Sequence, residues 1–118
     1  MTRDRFERLV EEALRAIPRP FRDAMKNVAV IVEDESEDGD LFGLYEGIPL
    51  PERGSSYGNA LPDRISIYQK TIEDACEDDE DIRVCVAETV IHELGHYFGM
   101  SEEEIEEIEE NYWRDRDA

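Results

Sequence analysis

Val84-Cys-Val-Ala-Glu-Thr-Val-Ile-His92-Glu-Leu-Gly-His96-Tyr-Phe-Gly99 is the stretch on which the reading of the fold turns. Val84, Ala87, Ile91, Leu94 and Phe98 recur at the spacing of one helical face. Asp78 to Asp81 offer N-cap carboxylates ahead of that helix, and Gly99 supplies a stop. His92 and His96 are the only histidines in the chain. Four residues apart on a helix, both imidazoles aim at one point, as a zinc ion requires of its first two ligands. Glu93 is displaced around the helix, where its carboxylate reaches a water on the metal instead of the metal itself. Zinc lowers the pKa of such a water to about 7. Glu93 would then take its proton as it attacks a carbonyl. The pattern points to hydrolysis, with His92 and His96 as metal ligands and Glu93 as general base.

A third ligand has to come from elsewhere, since there is no third histidine. Cys85 lies about 10 Å of axial rise before His92, too far to share the ion, and reads as a small buried thiol. Geometry does not exclude Cys76, although nothing in its setting singles it out. Downstream, Gly99 turns the chain back and Ser101-Glu-Glu-Glu104 forms a capping box that occupies Glu104. Met100 and Ile105 fall at the positions of a hydrophobic staple, which assigns Met100 to packing. Glu102 is left at the first helical position with its side chain free, and Glu103 and Glu106 are the alternatives to it.

Working outward, Phe6, Leu9, Val10, Ala13, Leu14 and Ile17 mark an amphipathic helix capped by Thr2 and stopped at Pro18. A short helical turn follows from Pro20. Val28-Ala-Val-Ile-Val32 is a continuous β-branched run and predicts a strand covered on both faces. Leu41 to Glu46 predicts a second strand, with Gly43 allowing a bulge or a close approach. Gly47 to Asp63 holds Pro49, Pro51, Gly54, Gly58 and Pro62 and reads as a long loop. Ile65-Ser-Ile-Tyr-Gln69 alternates, which predicts a third strand with one polar face, at an edge of the sheet. Such an edge would take an extended peptide by strand addition. Thr71 begins a short helix reaching about Cys76, and a last helix from Ser101 buries Ile105, Ile108 and Tyr112. With no repeat and no linker, residues 1–118 read as one domain.

The 118 residues carry a formal charge of −19, from 32 Asp and Glu against 13 Lys and Arg. Nucleic acid and anionic membrane surfaces are therefore not expected partners, because both demand an excess of Lys and Arg. No apolar run approaches the roughly 20 residues of a spanning helix. The first residues lack the apolar core of a signal peptide, so the expected location is the cytoplasm, with Cys76 and Cys85 reduced. The acidic runs read as solvated loops and helix faces.

His92-Glu-Leu-Gly-His96-Tyr-Phe-Gly99-Met-Ser-Glu102 resembles the extended zincin motif, His-Glu-x-x-His-x-x-Gly-x-x-(His/Asp). With Val28-Ala-Val-Ile-Val-Glu-Asp, Leu44-Tyr-Glu-Gly-Ile-Pro-Leu and Leu61-Pro-Asp-Arg-Ile, the chain resembles the bacterial zincin-like mini-metallopeptidase family over nearly its whole length. The resemblance implies an α+β minimal zincin fold, a small mixed sheet packed on helices that include the active-site helix. It implies one zinc per chain, bound by His92, His96 and Glu102, with Glu93 as general base and a peptide or protein as substrate. Glu102 stands where the family pattern favours Asp, one methylene shorter. The related ribosomal-RNA maturation metalloproteins lack the Glu after the first histidine and supply a third one, so they do not match. The expected function is a zinc-dependent metallopeptidase. The short stretch after His96 predicts an open site and low or narrow activity, with Tyr45 and Tyr57 as weak candidates for transition-state donors. The alternative is a non-catalytic metal-binding or protein-binding module on the same scaffold. Oligomeric state is not legible.

Overall fold

The helix bearing the two histidines is the axis of the fold. In the computed structural model, which describes residues 1–25, 27–47 and 63–117, the element order is α1 (Arg3–Arg15), α2 (Arg19–Ala24), β1 (Val28–Glu33), β2 (Gly43–Glu46), β3 (Asp63–Tyr68), α3 (Gln69–Ala75), α4 (Asp79–Tyr97) and α5 (Glu102–Asp117). α4 starts as predicted, with the Asp78 side chain accepting the Asp81 N–H at 2.8 Å. Its apolar surface is wider than the single face read from the sequence. Ile82, Val86 and Val90 are buried along with Ala87, Ile91 and Leu94, whereas Val84 and Phe98 are half-buried. A helix that is apolar nearly all round has to be covered on several sides. α4 accordingly packs against α1, α3, α5, β2 and β3.

α1 has the predicted start and stop. Thr2 Oγ1 accepts the Arg5 N–H at 3.2 Å, and the helix ends before Pro18. Phe6, Val10, Ala13 and Ile17 are buried in the same core as Leu94 and Ile105. α3 begins two residues ahead of Thr71, with no side-chain cap. Gln69 anchors its start instead: its amide donates to the Met1 carbonyl and to Glu73, and its oxygen accepts from Arg3.

Among the described residues, three strands form a mixed sheet in the order β1-β3-β2. β1 runs parallel to β3, with Val28 opposite Asp63, and β2 runs antiparallel to it, with Gly43 opposite Ile67. Two sequence expectations are corrected by this order. The strand Ile65–Gln69 is not an edge: β3 is central, paired on both sides. Its polar side is covered at Ser66, which is buried, and stays exposed only at Arg64, which pairs with Glu46. In register, Ser66 sits between Ile31 and Leu44, and neighbours across strands share a face, so a small hydroxyl is covered by larger apolar side chains. β1, expected to be covered on both faces, is an edge strand and only half-buried. Among the described residues β2 is the other edge, and it is the one that runs over α4.

The second strand is shorter than the predicted Leu41–Glu46, although the Phe42 carbonyl still accepts the Tyr68 N–H at 2.9 Å. Most of the long loop read over Gly47–Asp63, residues 48–62 with Tyr57, lies outside the described residues. Among the described residues, no helix is long and apolar enough to cross a membrane. The architecture is the α+β arrangement, a small mixed sheet against helices, that the resemblance implies.

Candidate metal centre

The end of α4 and the start of α5 set the geometry. Gly99 adopts φ 69°, a left-handed conformation that suits glycine. The Met100 N–H donates to the Gly95 carbonyl at 2.9 Å and the Gly99 N–H to the His96 carbonyl at 3.0 Å. These two bonds form a Schellman stop. The chain then re-enters a helix through the predicted capping box: Ser101 N–H donates to Glu104 at 3.1 Å, and Glu104 N–H to Ser101 Oγ at 3.2 Å. Ile105, fully buried against Gly95, seats the first turn of α5 on α4. The turn thereby brings Glu102 back beside His92.

His92 and His96 point their Nε2 atoms toward one another at 3.1 Å, with rings nearly perpendicular at 83°. A Glu102 carboxylate oxygen lies 3.9 Å from His92 Nδ1. One ligand atom from each of the three lies within 4.8 Å of the others. Among the described residues this is the one group of three or more such side chains close enough to hold a metal ion. Glu103, Glu106 and both cysteines stand outside it. Two nitrogens, each roughly 2.0–2.1 Å from a tetrahedral zinc, lie about 3.4 Å apart, so the imidazole spacing fits with a small adjustment. Two imidazoles and a carboxylate are also a donor set suited to zinc.

Glu93 is buried, at 9 % exposure, under the sheet. Burial raises its carboxyl above the ordinary range; the neighbouring His92 and His96 and the Tyr45 backbone N–H lower it, and Glu102 raises it. The Tyr45 contact joins elements far apart in the chain and is not legible from spacing. Because Phe42 bonds to β3, strand alternation turns the backbone groups of Gly43 and Tyr45 away from it, to the side of β2 opposite β3. β2 comes close enough for this only because residue 43 is glycine. A Cβ there would meet Thr89 Cγ2 at 2.7 Å and Glu93 Cγ at 3.1 Å. The only sequence signal was the glycine itself within a strand pattern.

Two hollows flank Glu93 along β2. One, of about 410 Å³, runs past His92 to Glu88 and Glu109; the other, of about 400 Å³, runs past His96 to Tyr45 and Gly47. Tyr45 takes a packing role. Its hydroxyl donates to Asp63 at 2.5 Å and its ring meets Tyr97 edge-on. Cys85 is half-buried beside Cys76, with its thiol pushed up to about 11, chiefly by burial. That proximity of the two thiols is a tertiary contact the sequence did not show.

A family profile described as zincin-like metallopeptidase matches residues 25–112. No curated protein matches the chain.

Proposed function

The chain belongs to the zincin-like metallopeptidase family, and from that premise we propose that it is a zinc-dependent peptidase with Glu93 as its general base. The observation that carries the reading is the grouping of His92, His96 and Glu102, one ligand atom of each within 4.8 Å of the others, with a separate buried carboxylate, Glu93, between the two histidines in sequence. His92, His96 and Glu102 would hold the metal. Zinc bound there supplies a Lewis acid that acidifies water and polarises a carbonyl.

The remaining work falls to the protein. Among the described residues β2 lies at an edge of the sheet, and an extended peptide would lie along it by strand addition, its backbone passing beside Glu93. This moves the proposed substrate edge from β3 to β2. Glu93 accepts a proton from the attacking water and returns it to the departing amine. Burial raises its proton affinity toward what a base working near neutral pH needs. The Tyr45 N–H holds that carboxylate in place. The flanking hollows are open to solvent, so water is poorly excluded, which supports slow turnover on generic peptides.

The test compares the wild type with Glu93→Gln across a diverse peptide library at matched zinc occupancy. Glu93→Gln should keep zinc and fold while cleavage drops by roughly 10²-fold or more, the usual loss for a general base. His92→Ala and His96→Ala should lose metal and cleavage together. Equal trace cleavage by the wild type and Glu93→Gln would favour the non-catalytic metal-binding or protein-binding module instead.

A further inference from the structure

We propose that the hollow beside His92 receives a lysine or arginine side chain of the substrate, and that Glu88 and Glu109 select it. The inference rests on the peptidase reading, because the hollow shares His92 and Glu93 with the proposed centre. Its occupant is therefore a residue adjoining the peptide bond under attack.

The walls are of two kinds. Leu41 and Phe42 line the hollow, and among the described residues they are the large hydrophobic side chains left exposed, at 39 % and 40 %. An exposed apolar pair beside a reaction centre is a surface for a substrate's side chain. Opposite them stand carboxylates. Glu88 is one helical turn before His92 on α4, on the same face and about 6 Å further along the axis. Glu109, half-buried on α5, lines the same hollow as Glu88, and burial first, then the charge of Glu88, raises its carboxyl. Asp40 completes the rim. Among the described residues, no Lys or Arg forms an ion pair with Glu88, Glu109 or Asp40, although ion pairs occupy carboxylates elsewhere, as in Arg5–Asp79 and Arg64–Glu46.

A long basic side chain matches both walls at once. Its aliphatic stem covers Leu41 and Phe42 while its cationic head reaches the carboxylates one turn away. The Arg fork can also meet a carboxylate with two hydrogen bonds. An acidic substrate residue is repelled, and a neutral one leaves the carboxylates without a counter-charge, so discrimination has a repulsive as well as an attractive part.

Amino-acid hydroxamates test this on the zinc-loaded full chain, because the hydroxamate anchors at the metal and presents one side chain to the flanking hollows. Arg and Lys hydroxamates should bind at least tenfold more tightly than the norleucine analogue, with the Glu analogue weakest. In Glu88→Gln/Glu109→Gln the Arg-to-norleucine ratio should fall to within about threefold. The control Glu7→Gln/Glu11→Gln, on the exposed side of α1 and outside the lining of the hollow, removes the same charge and should leave the ratio as in the wild type. No basic preference in the wild type, or a preference equally reduced by both double variants, would overturn the proposal; the second result would trace it to the −19 charge of the whole chain. Peptide-library cleavage separates this from the parent reading. Cleavage with no enrichment of Lys or Arg beside the cut defeats the pocket assignment alone. Hydroxamate preference without cleavage defeats the peptidase reading alone, and failure of every hydroxamate to bind defeats both.

Discussion

Replacing Glu102 by Ala separates ligation from helix capping, because its neighbour Glu104 has a different task two residues away. The Glu102 side chain is 69 % exposed, and its recorded contact is with His92. Its loss should therefore leave the metal-free protein's melting temperature unchanged, as for most surface substitutions. Zinc affinity should respond strongly. Disturbing residues that merely orient ligands weakens metal sites by about 10–100-fold, so losing one of three protein ligands should reach at least the upper end. Zinc at 1,000 times the wild-type Kd stabilises the fold by about 4.1 kcal/mol. A 100-fold weaker site at the same zinc concentration contributes only about 1.4 kcal/mol by the same relation. The zinc-induced rise in Tm should then shrink by roughly 10–15 °C for a chain of this size. Glu104→Ala instead removes the acceptor for the Ser101 N–H. That should cost about 0.5–1 kcal/mol with or without zinc, leaving the zinc increment intact. Competitive chelator titration and paired melts read both quantities. The reasoning fails if Glu102→Ala binds zinc as tightly as the wild type and keeps the full increment.

Three further outcomes follow from the buried groups around the centre. Because burial raises the Glu93 carboxyl, the folded metal-free protein holds that proton more tightly than the unfolded chain does. This contribution to stability is present at low pH and is lost as pH rises from the ordinary carboxylate range through the raised folded value. Metal-free Glu93→Gln should therefore melt above the wild type near neutral pH, with the gap closing on acidification; melts of the two proteins across that range check it, and a lower-melting variant contradicts it. Gly43→Ala sets a Cβ 2.7 Å from Thr89 Cγ2, so β2 must move off α4, at about 1–3 kcal/mol for overpacking. Chemical denaturation should register that loss, and peptide cleavage should fall as the Tyr45 N–H leaves Glu93. With its thiol pushed up to about 11, Cys85 at about pH 8 is thiolate in only about one molecule per thousand. Alkylation by iodoacetamide in the native state should be far slower than in urea, and equal rates would show the thiol to be unburied.

What the sequence made legible is what acts within one or two helical turns. The His92–His96 pair, the Gly99 stop, the Ser101–Glu104 box and the Thr2 cap are set by near neighbours along the chain, and each is found in the expected form. Strand order was illegible because it depends on what lies across the sheet. The alternation of Ile65-Ser66-Ile67 suggests a wet face only until Ile31 and Leu44 close over the serine. The β-branched run of β1 suggests a central strand, yet the parallel crossover to β3 and the antiparallel β2 leave it at an edge. Glu109 and the Tyr45 N–H reach the site from elements distant in sequence, so no spacing rule could have named them. Gly43 was the exception, a residue whose absence of a side chain signalled a close approach before the partner was known.

The proposed centre is a zinc ion held by His92, His96 and Glu102, with Glu93 beside it but not bound to it. A crystal structure of the zinc-loaded protein, with diffraction recorded on both sides of the zinc absorption edge, tests this most directly. The account predicts one anomalous peak per chain, at roughly 2.0–2.1 Å from a nitrogen of His92 and of His96 and roughly 2.0–2.2 Å from a Glu102 oxygen. It also predicts that Glu93 remains on the Tyr45 N–H, outside bonding distance of the metal. A peak ligated by Glu93, or zinc bound away from the two histidines, would contradict it.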